Sequence, residues 1–250
     1  MRIDKYMAEA GLAVSRAKAQ EMLKEGCVTV NGTPVDKPSF EVEDGMQVLV
    51  SENPLQRYVG RGGLKLEGAL DAFGISPRGQ IALDVGASSG GFTDCLLKRG
   101  AAFVYAVDSG TGQLHPTLLQ DARVLSMEGT NARTLTCESF DKIPTFAVMD
   151  VSFISQTLIL PAIRASMPKG GTLISLIKPQ FELGRGAVGK SGIVKSEALA
   201  KTAVTRVCDF ARTLGFHLIG HIPSPIRGGD GNLEFLAAFS LSAQTEELYE

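Results

Sequence analysis

The sequence predicts an α/β protein: a mostly parallel sheet with an antiparallel edge hairpin, preceded by a small α+β domain. Three observations predict it. Apolar runs "IALDVGA", "FVYAVDSG", "VLSMEGT", "FAVMDVSF" and "TLISLIKP" alternate with helix-length segments, the rhythm of an open parallel sheet joined by crossovers. That rhythm then breaks. "FHLIGHIPSPI" and "NLEFLAAFSL" follow with only the "GGDGN" turn between them, which implies a hairpin at one edge. The chain also begins in a different grammar, with two helices and then short alternating strands, so residues 1–58 are read as a small domain and linker and 59–250 as the sheet domain.

Composition narrows the function classes. With 250 residues, 44% hydrophobic and 21% charged, the chain is an ordinary globular protein, and its net charge of −2 announces no polyanion partner. Any nucleic acid has to meet a local patch. Cys27, Cys95, Cys137 and Cys208 are scattered without a C-x-x-C pair, as reduced cytoplasmic thiols are. "MRIDKYMAEAGL" carries charges where a signal peptide has its apolar core. No apolar run approaches the ~20 residues of a membrane span, so no membrane insertion is expected.

In the small domain, "RIDKYMAEAG" and "SRAKAQEMLKEG" each end at a glycine, Gly11 and Gly26, placed as helix stops. Ser15 suits an N-cap. Asn31-Gly32 forms a tight turn between the strands of "CVTVNGTPV", and "FEVEDGMQVLV" reads as a further alternating strand. The run D-K-Y-M-A-E-A-G, SR-x-x-A-Q-E-M-L-K-E-G, V-T-V-N-G and V-E-D-G-M-Q-V resembles an S4 RNA-binding domain. The resemblance implies RNA contact through Arg2, Lys5, Arg16, Lys18 and Lys24. Glu9, Glu21 and Glu25 share the stretch, so geometry has to make the patch. By themselves such mixed charges are a solvated helix face.

Pro54 and Gly60-Arg61-Gly62-Gly63 mark a lead-in, with Arg57 and Arg61 as further RNA-facing cations. Leu64, Leu66, Ala69, Leu70 and Phe73 then suit a helix packed on one face. "LDVGASSGGFTDCLLKRG" is strand, glycine-rich turn and helix. Gly86, Gly90 and Gly91 permit a sharp turn and close approach of a ligand to the amides near Phe92. Asp108 ends the next strand, where an acid accepts from ribose hydroxyls. Dinucleotides and S-adenosylmethionine (SAM) share this logic. Ser88 stands where a dinucleotide site has its second glycine, and Asp84 suits the cationic methionyl end of SAM. Asn131, after the third strand, is placed near an adenine.

Lys178 ends the apolar run "TLISLIK", where a lysine either snorkels to water or serves chemistry. Asp150 ends the neighbouring strand, Lys65 lies in the lead-in helix, and Glu234 lies in the edge hairpin. This K-D-K-E order, with the glycine loop, resembles the FtsJ-type ribose 2′-O-methyltransferases. With the S4-like segment in front, the whole chain resembles the TlyA (hemolysin A) family. The resemblance implies a Rossmann-like SAM-dependent methyltransferase domain, SAM as donor and a cytidine 2′-hydroxyl of ribosomal RNA, free or in ribosomal subunits, as acceptor. Methyl transfer from a sulfonium needs a positioned hydroxyl and help in losing its proton. Asp150 and Glu234 are expected to orient Lys178 and the ribose, with Lys65 a second cation near Lys178. Lys178 is then either a base or a cation facing developing alkoxide.

Other chemistries fit less well. The fourth strand ends "DVSF" rather than with the two prolines of base N-methylation, and no cysteine sits at the strand ends that carry Asp150 or Lys178. His115, His217 and His221 lack metal-ligand spacing. "GRGAVGKS" meets the P-loop spacing, but "KPQFEL" intervenes before it and the next helix waits until about Ser196. The same glycine-rich, basic stretch reads as a lid reaching RNA through Arg185, Lys190 and Lys195. Two other classes compete with the enzyme: a membrane-active hemolysin, and a catalytically silent RNA-binding or ribosome-assembly factor.

Overall fold

A positive φ at both Asn31 (50°) and Gly32 (79°) closes the first hairpin, the conformation a two-residue turn needs to match strand twist. In the computed structural model this hairpin belongs to the first of two compact units, Met1–Arg57 and Tyr58–Glu250. The structure describes residues 1–24, 26–50, 57–189, 191–229 and 231–242, so Glu25, the linker call at Pro54 and the lid residue Lys190 lie outside the described residues.

The first unit runs α1 (Ile3–Glu9), α2 (Arg16–Lys24), β1 (Val28–Val30), β2 (Thr33–Pro34) and β3 (Val48–Val50), with β1 pairing antiparallel to both other strands. Ser15 caps α2, its Oγ accepting from the Lys18 N–H at 3.2 Å. Gly11 and Gly26 both sit at φ +72° beyond the helix ends. Ile3, Met7, Ala19, Leu23, Val28 and Val30 make the core. The long strand expected over "FEVEDGMQVLV" is not formed. Gly45 at φ +89° and the Met46 N–H to Glu43 carbonyl bond (3.2 Å) turn the chain there, leaving only Val48–Val50 extended.

Under α1 lies a buried carboxylate. Asp4 accepts from Gln20 Nε2 (2.7 Å), Arg16 Nε (3.0 Å) and Arg2 Nη2 (3.1 Å). Burial alone would raise its pKa, but those bonds from Gln20, Arg2 and Arg16 outweigh burial and hold it well below the usual carboxylate range.

In the second unit the elements are α3 (Gly62–Phe73), β4 (Ile81–Val85), α4 (Gly91–Lys98), β5 (Phe103–Asp108), α5 (Pro116–Leu119) and β6 (Val124–Glu128). They continue with β7 (Phe146–Met149), α6 (Leu160–Ser166), β8 (Thr172–Ile177), α7 (Pro179–Glu182), α8 (Glu197–Thr213), β9 (Phe216–Pro223) and β10 (Phe235–Leu241). The seven-stranded sheet has the order β6-β5-β4-β7-β8-β10-β9. β4 to β8 pair in parallel, while β10 pairs antiparallel with both β8 and β9. The hairpin forms the edge as expected, but its reversed strand is β10, one in from the margin, and β9 is outermost.

Alternate residues of each strand feed two cores. Leu83, Tyr105, Met149 and Leu173 face one layer, and Ala82, Val104, Val148 and Ile174 the other. The lead-in helix starts earlier than the sequence suggests, inside the glycine cluster. A Cβ on Gly63 would lie 2.3 Å from the Tyr58 ring, so the helix packs only if that residue is glycine. Strand order reverses between β4 and β7, which opens a crevice at their carboxyl ends.

Asp4→Ala would remove the acceptor shared by Arg2, Arg16 and Gln20 and is expected to cost roughly 1–3 kcal/mol. Because the folded pKa is depressed, the stabilisation is present above the ordinary carboxylate value and is lost as pH falls through the folded one. Urea unfolding at stepped pH should therefore show wild type and variant converging in acid.

Candidate active site

The crevice is built on the turn after β4. Gly86 sits at φ +87°, and a Cβ there would lie 2.3 Å from the Asp150 carbonyl oxygen, so the turn can pass β7 only as glycine. Ser88 is also left-handed (φ 48°), and its N–H donates to Asp108 Oδ2 at 2.8 Å. Asp108 Oδ1 accepts from the Gly110 N–H at 2.8 Å. Gly90, at φ +94°, has no room for a Cβ against Leu118, and Gly91 opens α4 against the Gly60 carbonyl.

Two adjoining cavities result. One, of about 400 Å³, is lined by Gly86, Ser88, Asp108, Asn131, Asp150 and Phe153 among others, a volume in the range of small-ligand sites. The other, about 200 Å³, is lined by Arg61, Gly62, Phe92, Ser152 and Lys178. Gly86, Ser88, Asp150 and Ser152 wall both. Asn131 is tied back by its own neighbour, its Oδ1 accepting from the Arg133 N–H at 3.1 Å.

Asp84 lies beneath the turn, fully buried. Its Oδ2 accepts from Thr93 Oγ1 at 2.6 Å, and its Oδ1 has no hydrogen-bond partner among the described residues. Burial pushes its pKa up to about 7 against the Thr93 bond, and the charges of Asp150 and Asp108 push the same way. Three carboxylates around one turn repel a pyrophosphate and favour a ligand carrying positive charge. An orphaned buried oxygen beneath the turn that walls both cavities fits the cationic end of SAM.

The four K-D-K-E residues form two ion pairs. Lys178 Nζ lies 2.6 Å from Asp150 Oδ1 and donates to Ser152 Oγ at 2.8 Å. Lys65 Nζ lies 2.5 Å from Glu234 Oε2, with both side chains buried. This corrects the expected arrangement: Glu234 holds Lys65 rather than Lys178. Phe235 opposes Ile177, which brings Glu234 to the same strand end as Lys178, and from there its carboxylate reaches Lys65 on α3.

Phe153 was not foreseen. Its ring is 91% exposed, its φ is +63°, and it lies 5.0 Å from the Phe181 ring at the mouth of the larger cavity. A bulky residue held left-handed costs about 1–3 kcal/mol, and exposure returns none of it. Only the phenylalanine in "DVSF" hinted at this, since a positive φ leaves no sequence mark outside glycine and asparagine. Glu182 was missed too. It is buried, accepts from Ser155 Oγ (2.6 Å) and the Gln156 N–H (2.8 Å), and has its pKa raised by burial against those bonds.

The predicted RNA-facing cations divide by partner. Arg2 and Arg16 present half-exposed guanidinium groups around Asp4. Lys5 lies 3.6 Å from Glu9 and Lys18 2.8 Å from Glu21, while Lys24 and Arg57 are exposed. Arg61 lines the Lys178 cavity, Arg185 opens the short turn Arg185–Ala187, and Lys195 donates to the Gly186 carbonyl at 2.7 Å. The P-loop spacing carries no P-loop: α7 intervenes, and α8 begins at Glu197 with Ser196 as cap. His115 caps α5, and His217 and His221 lie on β9. Among the described residues no metal-binding cluster is present, and no helix is long and apolar enough to cross a membrane.

Known proteins share this plan. The FtsJ-like methyltransferase family model matches residues 58–241, and the S4 domain model matches residues 1–48. YqxC of Bacillus subtilis (strain 168), described as a candidate rRNA methyltransferase, is 47% identical over 236 residues, 94% of this chain and 84% of that protein. The 16S/23S rRNA (cytidine-2′-O)-methyltransferase TlyA of Mycobacterium tuberculosis (strain CDC 1551 / Oshkosh) is 42% identical over 94% of this chain and 87% of its own length. A solved structure of a candidate hemolysin from Streptococcus thermophilus superposes with a TM-score of 0.75 at 43% identity, covering 98% of this chain and 89% of that one.

The Lys65–Glu234 pair yields a stability prediction. Truncating either partner leaves a buried charge and is expected to cost about 3–5 kcal/mol. The double variant Lys65→Met/Glu234→Leu should recover most of that in thermal melts while losing activity.

Proposed function

The chain belongs to the FtsJ-like methyltransferase family with an S4 domain ahead of it, and from that premise we propose a SAM-dependent 2′-O-methyltransferase acting on a cytidine ribose of ribosomal RNA in the cytoplasm. The observation that carries the reading is Lys178, held by Asp150 and Ser152 in a cavity that shares its wall with the larger, acid-lined one. The acceptor is the one named for the Mycobacterium tuberculosis relative.

SAM, when bound, supplies a methyl group already activated on a sulfonium. The chain's residues have to hold that cofactor and bring up a hydroxyl. Gly86, Ser88, Gly90 and Gly91, with Phe92 behind them, shape the turn; Asp84 offers its free oxygen to the cationic end; Asp108 is placed for ribose hydroxyls and Asn131 for adenine. In the adjoining cavity Lys178 orients the acceptor 2′-oxygen. It stabilises the charge that grows there as the carbon–oxygen bond forms, the methyl–sulfur bond breaks and the hydroxyl proton passes to solvent. Asp150 and Ser152 fix the lysine's direction. Lys65 and Glu234 neutralise each other and support the strand end from below. The exposed Phe153 ring offers a face to the target base.

The S4 unit supplies affinity. Arg2 and Arg16, fixed around Asp4, are pre-ordered forks for phosphate, whereas Lys5 and Lys18 already face glutamates. Within the second unit, Arg61 places a further cation on the wall of the Lys178 cavity.

Methyl-tritiated SAM should label isolated ribosomal subunits, with the label recovered as 2′-O-methylcytidine. Lys178→Ala should lower transfer by roughly 10²–10³-fold while SAM binding persists. Label on a base would sink the ribose assignment, and lysis of red cells without SAM would favour the hemolysin reading.

Asp84 adds a proton-linked expectation. Its folded pKa, about 7, is raised above the ordinary value, so its contribution to stability is full at low pH and is lost as pH rises through about 7. A bound cation favours the carboxylate and lowers that pKa. SAM binding near pH 5.5, roughly midway between the ordinary carboxylate value and about 7, should therefore release protons, measured by calorimetry in buffers of different ionisation enthalpy. Asp84→Asn should abolish the release.

A further inference from the structure

The geometry points to Glu182 as a positioning residue that clamps the 150–156 loop to the segment following Lys178, a role that rests on the methyltransferase reading above. That loop carries Asp150 and Ser152, which hold Lys178, and Phe153, whose exposed ring sits at φ +63°. Nothing in Phe153's own burial holds that conformation, so the loop has to be over-determined elsewhere.

Its far end supplies the restraint. Glu182 is 3% exposed and spends both oxygens on two successive loop residues, Oε2 on Ser155 Oγ at 2.6 Å and Oε1 on the Gln156 N–H at 2.8 Å. Gln156 is then locked into β8. Its Nε2 donates to the Leu176 carbonyl at 2.6 Å, and its Oε1 accepts from Ser175 Oγ at 2.7 Å. From α8, Arg206 Nη1 donates to the Glu182 carbonyl at 2.7 Å, so the backbone of α7 is fixed as well. Phe153 and Phe181 close the contact on the outside, 5.0 Å apart.

The loop is therefore pinned twice to the same stretch of chain: at its start through Lys178, at its end through Glu182. An apolar side chain of similar size would fill the space at less desolvation cost. A carboxylate adds direction, because its two oxygens fix Ser155 and Gln156 relative to Lys178. Without it, Lys178 keeps its ion pair but loses the loop geometry that aims Asp150, Ser152 and Phe153.

The chain has no tryptophan, so Phe153→Trp provides a single fluorescent reporter of the loop. In that background Glu182→Ala is expected to lower steady-state anisotropy. In the otherwise unaltered chain it should lower methyl transfer at saturating SAM and RNA by roughly tenfold to a hundredfold. SAM affinity should stay within about twofold of wild type, since the loss falls on turnover rather than cofactor binding. Glu182→Gln keeps an acceptor for the Gln156 N–H and should recover most of both signals. Unchanged anisotropy and turnover in Glu182→Ala would overturn the clamp, as would a turnover loss matched by lost SAM binding. If Glu182→Ala does not fold, Ser155→Ala removes one of the two bonds. A smaller fall in both readouts then supports the clamp, and no change overturns it. Wild-type protein that transfers no methyl group while anisotropy still responds to Glu182→Ala would sink the methyltransferase reading and leave the clamp standing.

Discussion

The chemistry of the second unit depends on one crowded junction, where the backbone of Gly86 passes the carbonyl of Asp150. β4 is hydrogen-bonded on both sides as it ends: the Gly86 N–H donates to the Val107 carbonyl at 2.8 Å, and the Asp150 N–H donates to the Val85 carbonyl at 2.9 Å. The chain turns there with no space for a Cβ. Because the strand order reverses at this point, the turn after β4 and the loop after β7 diverge and leave a cleft between them. Both cavities share Gly86 and Asp150 as wall. A side chain at residue 86 would displace the end of β7, and with it Asp150, from its present spacing to Lys178. A backbone requirement thus fixes the spacing of the ionisable groups.

Those groups are sorted by what their oxygens already hold. Asp4 and Glu182 have both oxygens taken by donors of the chain, so they organise structure. Glu234 is bound to a buried lysine. Asp84 keeps one oxygen free under the turn, and Asp150 faces both cavities. Asp150 and Asp108 line the larger cavity, and Asp84 lies buried beneath the turn with an oxygen to spare. A buried carboxylate whose two oxygens are both held by the chain is a fastening, and one with an unpartnered oxygen is a binding group awaiting a donor or a cation.

Much of this was legible in the residues. Alternation of apolar strands with helices gave the parallel sheet, and the missing helix between "FHLIGHIPSPI" and "NLEFLAAFSL" gave the hairpin. Gly86, Gly90 and Gly91 were readable because only glycine meets such crowding at positive φ. What could not be read was pairing. Lys65 and Glu234 are 169 positions apart, and spacing does not say which lysine a glutamate will choose. The start of α3 inside Gly62-Gly63 was hidden for a related reason, since glycine there answers to the Tyr58 and Phe92 rings rather than to local propensity. Phe153 was invisible because left-handed backbone at a phenylalanine is imposed by its surroundings.

The same reasoning explains why two lysines in one small region need not disturb each other. Each sits beside its own carboxylate, at 2.5 and 2.6 Å, so at distance each pair acts as a dipole rather than a charge. The buried pair is nearly sealed, with side-chain exposures of 10% and 3%, and its field stays local. The Lys178 pair is more open and keeps a hydroxyl partner in Ser152, which can be exchanged for a substrate hydroxyl without stranding a charge. The sealed pair therefore gives rigidity at the strand ends, and the open pair gives a directed cation that can accept a new oxygen ligand. Exchanging their environments would keep the same four residues and lose the site.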